Sequence, residues 1–113
     1  MHEMSLAMSV LDIIARNAKR AGVDKVSRVR LEVGRLSAVE PHALRFCFGS
    51  VVSGSLADGA ELEIVETPGE AWCMKCSRTV PVASRADDCP ECGSAQLQVT
   101  SGDAMRVLDF EGA

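Results

Sequence analysis

Four of the five cysteines form two pairs with the same internal spacing. The pairs are CMKC at 73–76 and CPEC at 89–92, and twelve residues separate them. A two-residue gap lets both sulfurs of a pair turn toward one ion, and four thiolates complete a tetrahedral site. The sequence therefore predicts one metal ion held by Cys73, Cys76, Cys89 and Cys92.

The chemistry of four sulfurs favours zinc but leaves iron open, because rubredoxin-like sites use similar cysteine pairs and geometry alone does not separate the two metals. A closed set of four ligands leaves no coordination position for water, so the expected role is structural. Two interpretations of the nearby Lys75, Arg78 and Arg85 stay open: they offset the negative charge of the thiolates, or they belong to a solvated loop face.

A second group of metal-ligand types stands at the start of the sequence, where His2 and Glu3 follow Met1. A terminal amine, an imidazole and two backbone nitrogens can surround one ion in a plane. Such nitrogen-rich environments suit Ni²⁺ or Cu²⁺ better than Zn²⁺, and Glu3 can add an oxygen. The structural alternative for Glu3 is compensation of a helix dipole.

The remaining cysteine, Cys47, carries no comparable signal. It lies on an apolar stripe with Leu44, Phe48 and Val51, which predicts a small buried side chain. No pairing of a nucleophile with a base is visible in the sequence, so we do not expect an enzyme.

Charge and composition restrict the partners and the compartment. The 12 basic and 16 acidic residues give a net charge of −4, which disfavours a protein that binds nucleic acid through its phosphates. The mildly apolar run 6–11 follows His2 and Glu3 and stops at Asp12, which argues against a signal peptide or a membrane span. We therefore expect a cytoplasmic protein, in which paired cysteines more often hold a metal than a disulfide.

Hydrophobic periodicity predicts the elements that position these residues. A helix is expected over 5–21 with Gly22 at its end, and a second helix near 37–51, where Ser37 and Glu40 have capping-box spacing and Pro41 suits a first helical position. Alternating patterns predict strands over 28–33, 61–65 and 105–110, with shorter β-like fragments over 79–82 and 96–99.

The long apolar stripes disappear between Pro68 and Gly102. Roughly 35 residues of this composition are too few to bury a core without a metal. We therefore predict a zinc-binding module over 68–102, inserted into a nickel-binding α/β domain formed by 1–67 and 103–113. The expected fold class is α+β, with two helices on one face of a small three-stranded sheet and an inserted zinc-ribbon-like module of four cysteines.

Four segments carry a resemblance to a known family. They are MHEMSLAMSVLDII, LEVGRLSAVEP followed by LRFCF, GAELEIVETPGEAWC, and the CMKC and CPECGS pair. In their order and spacing they resemble the HypA/HybF family of hydrogenase nickel-incorporation proteins, over essentially the whole chain. The resemblance implies a nickel metallochaperone that delivers Ni(II) to the large subunit of a [NiFe]-hydrogenase and carries a structural Zn(II) site.

The same resemblance implies the ligands and partners. The nickel ligands would come from Met1, through its amine, and from His2 and Glu3, while Glu40 is a further candidate whose capping role explains it equally well. The implied partners are the GTPase HypB and the hydrogenase large-subunit precursor, and both a monomer and a homodimer remain open. His42 departs from the family pattern and is expected to be an exposed helix residue, and Ser77 replaces a frequent glycine.

Two alternatives from other classes explain the cysteines alone. One is a zinc-ribbon protein that binds nucleic acid, which would need a basic face that this acidic chain lacks. The other is a rubredoxin-like electron carrier, whose iron would colour the purified protein.

Overall fold

The computed structural model describes residues 3–113, which form two helices and six strands. The elements in chain order are α1 (Glu3–Ala21), β1 (Val26–Gly34), α2 (Pro41–Val51), β2 (Glu61–Thr67), β3 (Gly69–Cys73), β4 (Arg78–Val82), β5 (Leu97–Ser101) and β6 (Met105–Gly112). They form two three-stranded sheets, of order β2-β1-β6 and β4-β3-β5. The α+β class, with two helices, a small sheet and a separate cysteine module, is confirmed.

The helix α1 buries one stripe of its surface. Its fully buried side chains recur at intervals of three and four residues: Ala7, Val10, Ile14 and Ala18. This is the spacing at which side chains of an α-helix share a face. After Ala21 the chain turns at Gly22, whose φ of +70° is readily adopted only by glycine.

The start of α2 differs from the prediction. The capping-box interpretation placed Ser37 at the N-cap, but the N-cap is Glu40, whose carboxylate accepts the backbone N–H of Ala43 at 2.6 Å. Ser37 instead donates its hydroxyl to the carbonyl of Gly34 at 2.6 Å. Pro41 occupies the first helical position as predicted, since its missing N–H costs nothing there.

The predicted burial of Cys47 is also corrected. Cys47 is only half-buried, because the buried stripe of α2 passes through Leu44 and Phe48 and continues to Val52. Residues four apart lie nearly above one another on a helix, so this stripe turns Cys47 toward its margin. His42 is exposed, as the sequence predicts.

The sheet β2-β1-β6 has one apolar and one charged face. On β1 the side chains of Val29, Leu31 and Val33 are buried, which confirms the alternation predicted for this strand. The intervening Arg28 and Arg30 point the other way and pair across the strands. Arg28 forms an ion pair with Glu63 on β2, and Arg30 donates two hydrogen bonds, at 2.7 and 2.9 Å, to Asp109 on β6.

The sheet β4-β3-β5 contains one of the four paired cysteines, Cys73, as the last residue of β3, and the other three lie in the connections between its strands. Its central strand β3 lies antiparallel to both neighbours, with Ala71 opposite Val80 on β4 and Val99 on β5. The β-like fragments predicted near 79–82 and 96–99 are confirmed as β4 and β5. The strand β3 itself was not predicted, because it lies in the segment after Pro68 where the long apolar stripes disappear.

The fold divides into two compact units. The helical unit comprises the described residues through Leu31, Val39–Val65 and Arg106–Ala113; the cysteine unit comprises Glu32–Ala38 and Glu66–Met105. Among the helices of residues 3–113, none is long and apolar enough to cross a membrane.

The segment 32–38 joins the cysteine unit through close backbone packing. Gly34 donates its N–H to Ala104 at 2.9 Å, and Leu36 donates to Gly102 at 2.7 Å. A Cβ on Gly34 would lie 2.1 Å from the Gly102 carbonyl oxygen, so this approach requires glycine. Leu36 consequently packs into the small core of this unit, with Ala71, Val80 and Val82.

Candidate metal centre

The four predicted cysteine ligands converge on one point. All of their Sγ atoms lie within 4.8 Å of one another, with Cys73 and Cys92 3.7 Å apart and Cys76 and Cys89 3.9 Å apart. Sulfurs at the corners of a tetrahedron lie about 3.8 Å apart when the metal–sulfur bonds are about 2.3 Å. The two measured separations match this value, so the cluster fits a tetrahedral ion of the Zn²⁺ type.

Each cysteine pair is shaped by a tight turn of the same design. In the first, Ser77 has a φ of +54° and donates its N–H to the Cys73 carbonyl at 2.8 Å; in the second, Gly93 has a φ of +74° and donates to the Cys89 carbonyl at 2.9 Å. A serine in this conformation carries a steric cost that glycine avoids. Ser77 thus keeps the turn that a glycine would form more easily, and the ligand geometry is retained.

The pKa values of two thiols are shifted by their neighbours in the cluster. The pKa of Cys73 is lowered to about 7, chiefly because the Cys76 backbone N–H donates to its Sγ, at 3.3 Å. The pKa of Cys76 is raised to about 12, first by its hydrogen bond with the Cys92 thiol and then by burial. Thiolates forced this close together oppose one another's ionisation, so a cation is needed to hold all four in the anionic form.

The charged residues around the cluster have separate partners. Arg78 forms an ion pair with Glu91 at 2.8 Å, and Arg85 donates from its Nε to the Leu36 carbonyl at 3.2 Å. Arg78 is therefore paired with an acid, while Arg85 uses one of its donor groups for a backbone carbonyl. Of the two interpretations left open by the sequence, this arrangement favours the loop face for Arg78 and Arg85.

The core next to the cluster is small, and it includes two of the ligands. Its buried residues are Leu36, Ala71, Cys73, Val80, Val82 and Cys89. Leu36 comes from the segment before α2, and sequence reasoning missed it. The signal available was a leucine between Arg35 and Ser37, just after the strand that ends at Gly34.

The residues predicted to hold the second metal are only partly within the described part of the chain. Met1 and His2 lie outside the described residues. Glu3 is the first residue of α1, and its Oε2 accepts the backbone N–H of Glu40 at 3.2 Å, although the two are 37 positions apart in the sequence. The fold thus brings Glu3, which follows His2, to the N-terminus of α2, where the carboxylate of Glu40 also lies.

The fold and the cysteine centre define a small α+β metal-binding protein with a module of four cysteine ligands. Residues 1–112 match the family model described as "Hydrogenase/urease nickel incorporation, metallochaperone, hypA". The chain therefore belongs to the HypA family, which confirms the resemblance seen in the sequence.

Individual relatives agree with this assignment over nearly their whole length. The chain is 52% identical to the hydrogenase maturation factor HypA of Rhodopseudomonas palustris (strain BisA53) over 111 residues, covering 98% of both chains. It is 53% identical to HypA of Albidiferax ferrireducens, also with 98% coverage of both. The solution structure of the Ni metallochaperone HypA from Helicobacter pylori matches 99% of this chain and 97% of its own, with a TM-score of 0.72 and 29% identity.

Proposed function

We propose that this protein is a nickel metallochaperone of hydrogenase maturation, which binds Ni(II) at its amino terminus as cargo. In this proposal residues 1–67 and 103–113 form the nickel-binding domain and 68–102 the zinc-binding module. The proposed nickel ligands are the Met1 amine, the His2 imidazole with backbone nitrogens, and the Glu3 carboxylate, and Glu40 is a further candidate. Family membership over residues 1–112 supports the function.

The observation that carries the nickel site is the contact between Glu3 and Glu40. The Glu3 carboxylate accepts the Glu40 N–H at 3.2 Å, while the Glu40 carboxylate accepts the Ala43 N–H at 2.6 Å. Two carboxylates are thus held at one helix N-terminus, and His2 stands directly before Glu3 in the sequence. Carboxylate oxygens beside nitrogen ligands are a suitable donor set for Ni²⁺.

The cluster of four cysteines has a different task. We propose Zn²⁺ as its ion, because the sulfur spacing fits a tetrahedral site and a closed set of four thiolates is characteristic of structural zinc. Such an ion supplies binding free energy to the fold and has no open position for catalysis.

A carrier of cargo must also release it. An imidazole competes with protons close to neutral pH, since an unperturbed histidine has a pKa of about 6.5. A nickel site that depends on one imidazole is therefore easily exchanged, whereas four thiolates hold their ion firmly. We propose that nickel passes to the large-subunit precursor of a [NiFe]-hydrogenase, with the GTPase HypB as the second partner.

The two sites predict two classes of bound metal in one sample. An untagged protein whose chain starts at Met1 is expected to contain about one zinc per chain as purified, and to take up about one nickel when nickel is added. Brief treatment with a mild chelator should remove the nickel and leave the zinc, as measured by mass spectrometry of the desalted protein. Nickel that displaces zinc, or that does not bind at all, would contradict the proposed function.

The role of Glu40 can be separated from its role as a helix cap. Glu40→Ala removes the N-cap acceptor and should lower the free energy of unfolding by about 1 kcal/mol. Glu40→Gln keeps an acceptor oxygen for the Ala43 N–H but loses the charge. If Glu40 is a ligand, Glu40→Gln should weaken nickel binding about tenfold with little change in stability.

The matched control is Glu61→Gln, which removes an exposed carboxylate of the same helical unit. Nickel affinity is measured by calorimetric titration and stability by urea unfolding. Equal nickel affinities in Glu40→Gln and Glu61→Gln would remove Glu40 from the ligand set and leave it as a cap only.

A further inference from the structure

A cleft of about 270 Å³ on the cysteine unit carries two arginines and no acidic residue. Its lining consists of Arg35, Leu36, Ala38, Ala83, Ser84 and Arg85. A second cleft of about 310 Å³ shares Arg35 and Ala83 with the first and reaches Asp87. Arg35 therefore lies where the two clefts meet, and the metal cluster contributes no residue to either lining.

Hydrogen bonds hold the Arg85 side chain, the Arg35 backbone and the loop that carries Arg85. The Nε of Arg85 donates to the Leu36 carbonyl at 3.2 Å, and the backbone N–H of Arg35 donates to Thr67 at 2.9 Å. The loop that carries Arg85 is held by Asp87, whose Oδ2 accepts the N–H groups of Ala83 at 2.8 Å and Ser84 at 3.1 Å. The Leu36 carbonyl occupies only one of the donor groups of Arg85, which leaves its terminal nitrogens available.

Neither guanidinium has a partner of opposite charge in the part of the chain that the structure describes. The ion pairs formed among residues 3–113 use other cations, including Arg78, which pairs with Glu91. Asp87, which lines the neighbouring cleft, accepts hydrogen bonds from two loop amides. Two planar cations on one concave surface are suited to oxyanions, which a guanidinium binds through two parallel hydrogen bonds.

The backbone at the rim is unusual as well. Ala38 lines the cleft and has a φ of +61°, one of two residues other than glycine with positive φ among residues 3–113. This conformation is costly for alanine, and it turns the chain between the cleft and Glu40. The cleft is thus two residues away in sequence from the N-cap of α2.

We propose that this cleft binds side-chain carboxylates of an acidic peptide segment on a partner protein. The chain as a whole carries a net charge of −4, so an acidic partner is repelled by most of the molecule and is attracted where two arginines stand unpaired. The cleft is open to solvent, so it suits an extended peptide better than a small molecule that must be enclosed. The site is independent of nickel and does not rest on the proposed function.

The test is a titration of the ¹⁵N-labelled full-length protein, as purified and without added nickel. The probe is a capped five-residue peptide of alternating glutamate and aspartate, and the readouts are the side-chain Nε–H signals of Arg35 and Arg85 and the amide signals of Ala38 and Ser84. We expect saturable shifts of these signals, with an affinity that falls as salt is raised.

Variants show which cation is responsible. Arg85→Ala and Arg35→Ala should each weaken peptide binding about fivefold to tenfold, because each removes a charge-assisted pair. Arg85→Lys should also weaken it, because lysine cannot present the fork that Leu36 orients. The control Arg20→Ala makes the same change of net charge in the last turn of α1 and should bind like the parent.

Three results would overturn the proposal. The first is the absence of shifts at the cleft, and the second is an equal loss of affinity in Arg20→Ala, which would indicate a general charge effect. The third is binding of inorganic phosphate at the same signals as tightly as the peptide, which would define a site for small anions. The amide spectrum of each variant reports whether it is folded, and Arg35→Ala provides a second variant should Arg85→Ala unfold.

Discussion

The variant Cys73→Ser is expected to lose its bound metal and to unfold the cysteine unit while the helical unit stays folded. Cys73 is fully buried, its Sγ lies 3.7 Å from that of Cys92, and it belongs both to the cluster and to the six-residue core of this unit. A core of this size cannot offset the conformational entropy of ordering the segment. Metal binding contributes about 10–16 kcal/mol of folding free energy in small structural zinc modules, so loss of the metal should unfold this unit.

The control for this variant is Cys47→Ser, which replaces the half-buried cysteine on α2 outside the cluster. It should keep one equivalent of metal and a complete amide spectrum. In Cys73→Ser, metal analysis should find no stoichiometric zinc, and the amide signals of β3, β4 and β5 should collapse while those of α1 and α2 persist. Retention of zinc, or loss of all signals together, would show that the metal does not stabilise this unit separately.

The metal cluster could be predicted from the sequence because its geometry is largely local. In each pair a turn of five residues brings the two sulfurs together. The backbone N–H of the last residue of the turn donates to the carbonyl of the first cysteine, as Ser77 does to Cys73. The same locality explains the nineteen-residue helix α1, whose buried residues repeat at helical spacing from Ala7 to Ala18. Local patterns fix such features before any long-range contact forms.

Features that depend on distant segments could not be predicted in this way. Gly34 ends β1 and allows the backbone to approach Gly102, a residue 68 positions further along the sequence. This approach brings Leu36 into the core of the cysteine unit, and no pattern in the sequence around Leu36 indicates its partner strands. The strand β3 was missed for the same reason, since it is defined by pairing on both sides.

The cap of α2 shows how two local signals can compete. Ser37 and Glu40 have capping-box spacing, but Ala38 adopts a φ of +61° and the helix begins only after Glu40. Pro41 restricts the residue before it to extended conformations, which suits an N-cap and excludes a helical Glu40. This shift places the Glu40 carboxylate at the cap. The backbone N–H of Glu40 donates to the carboxylate of Glu3, a contact between residues 37 positions apart.

Replacing His2 with alanine is expected to abolish nickel binding at stoichiometric concentrations while leaving zinc content and stability unchanged. His2 lies outside the described residues, but Glu3 directly follows it and reaches the N-cap of α2. Loss of an outer-shell partner commonly weakens a metal site by about 10-fold to 100-fold, so loss of the imidazole itself should weaken this one by about a hundredfold or more. Calorimetric titration with Ni²⁺, together with zinc analysis, measures both quantities.

The chain contains one other histidine, which makes a sharp control possible. His42 is exposed on α2, and His42→Ala should bind nickel like the parent protein if His2 alone supplies the imidazole. The terminal amine can be tested separately, by comparing a sample that starts at Met1 with one carrying a single extra residue before it, which should bind less tightly. Undiminished affinity in His2→Ala would refute the amino-terminal site, and a loss in His42→Ala would move the imidazole ligand to α2, where Glu3 and Glu40 already meet.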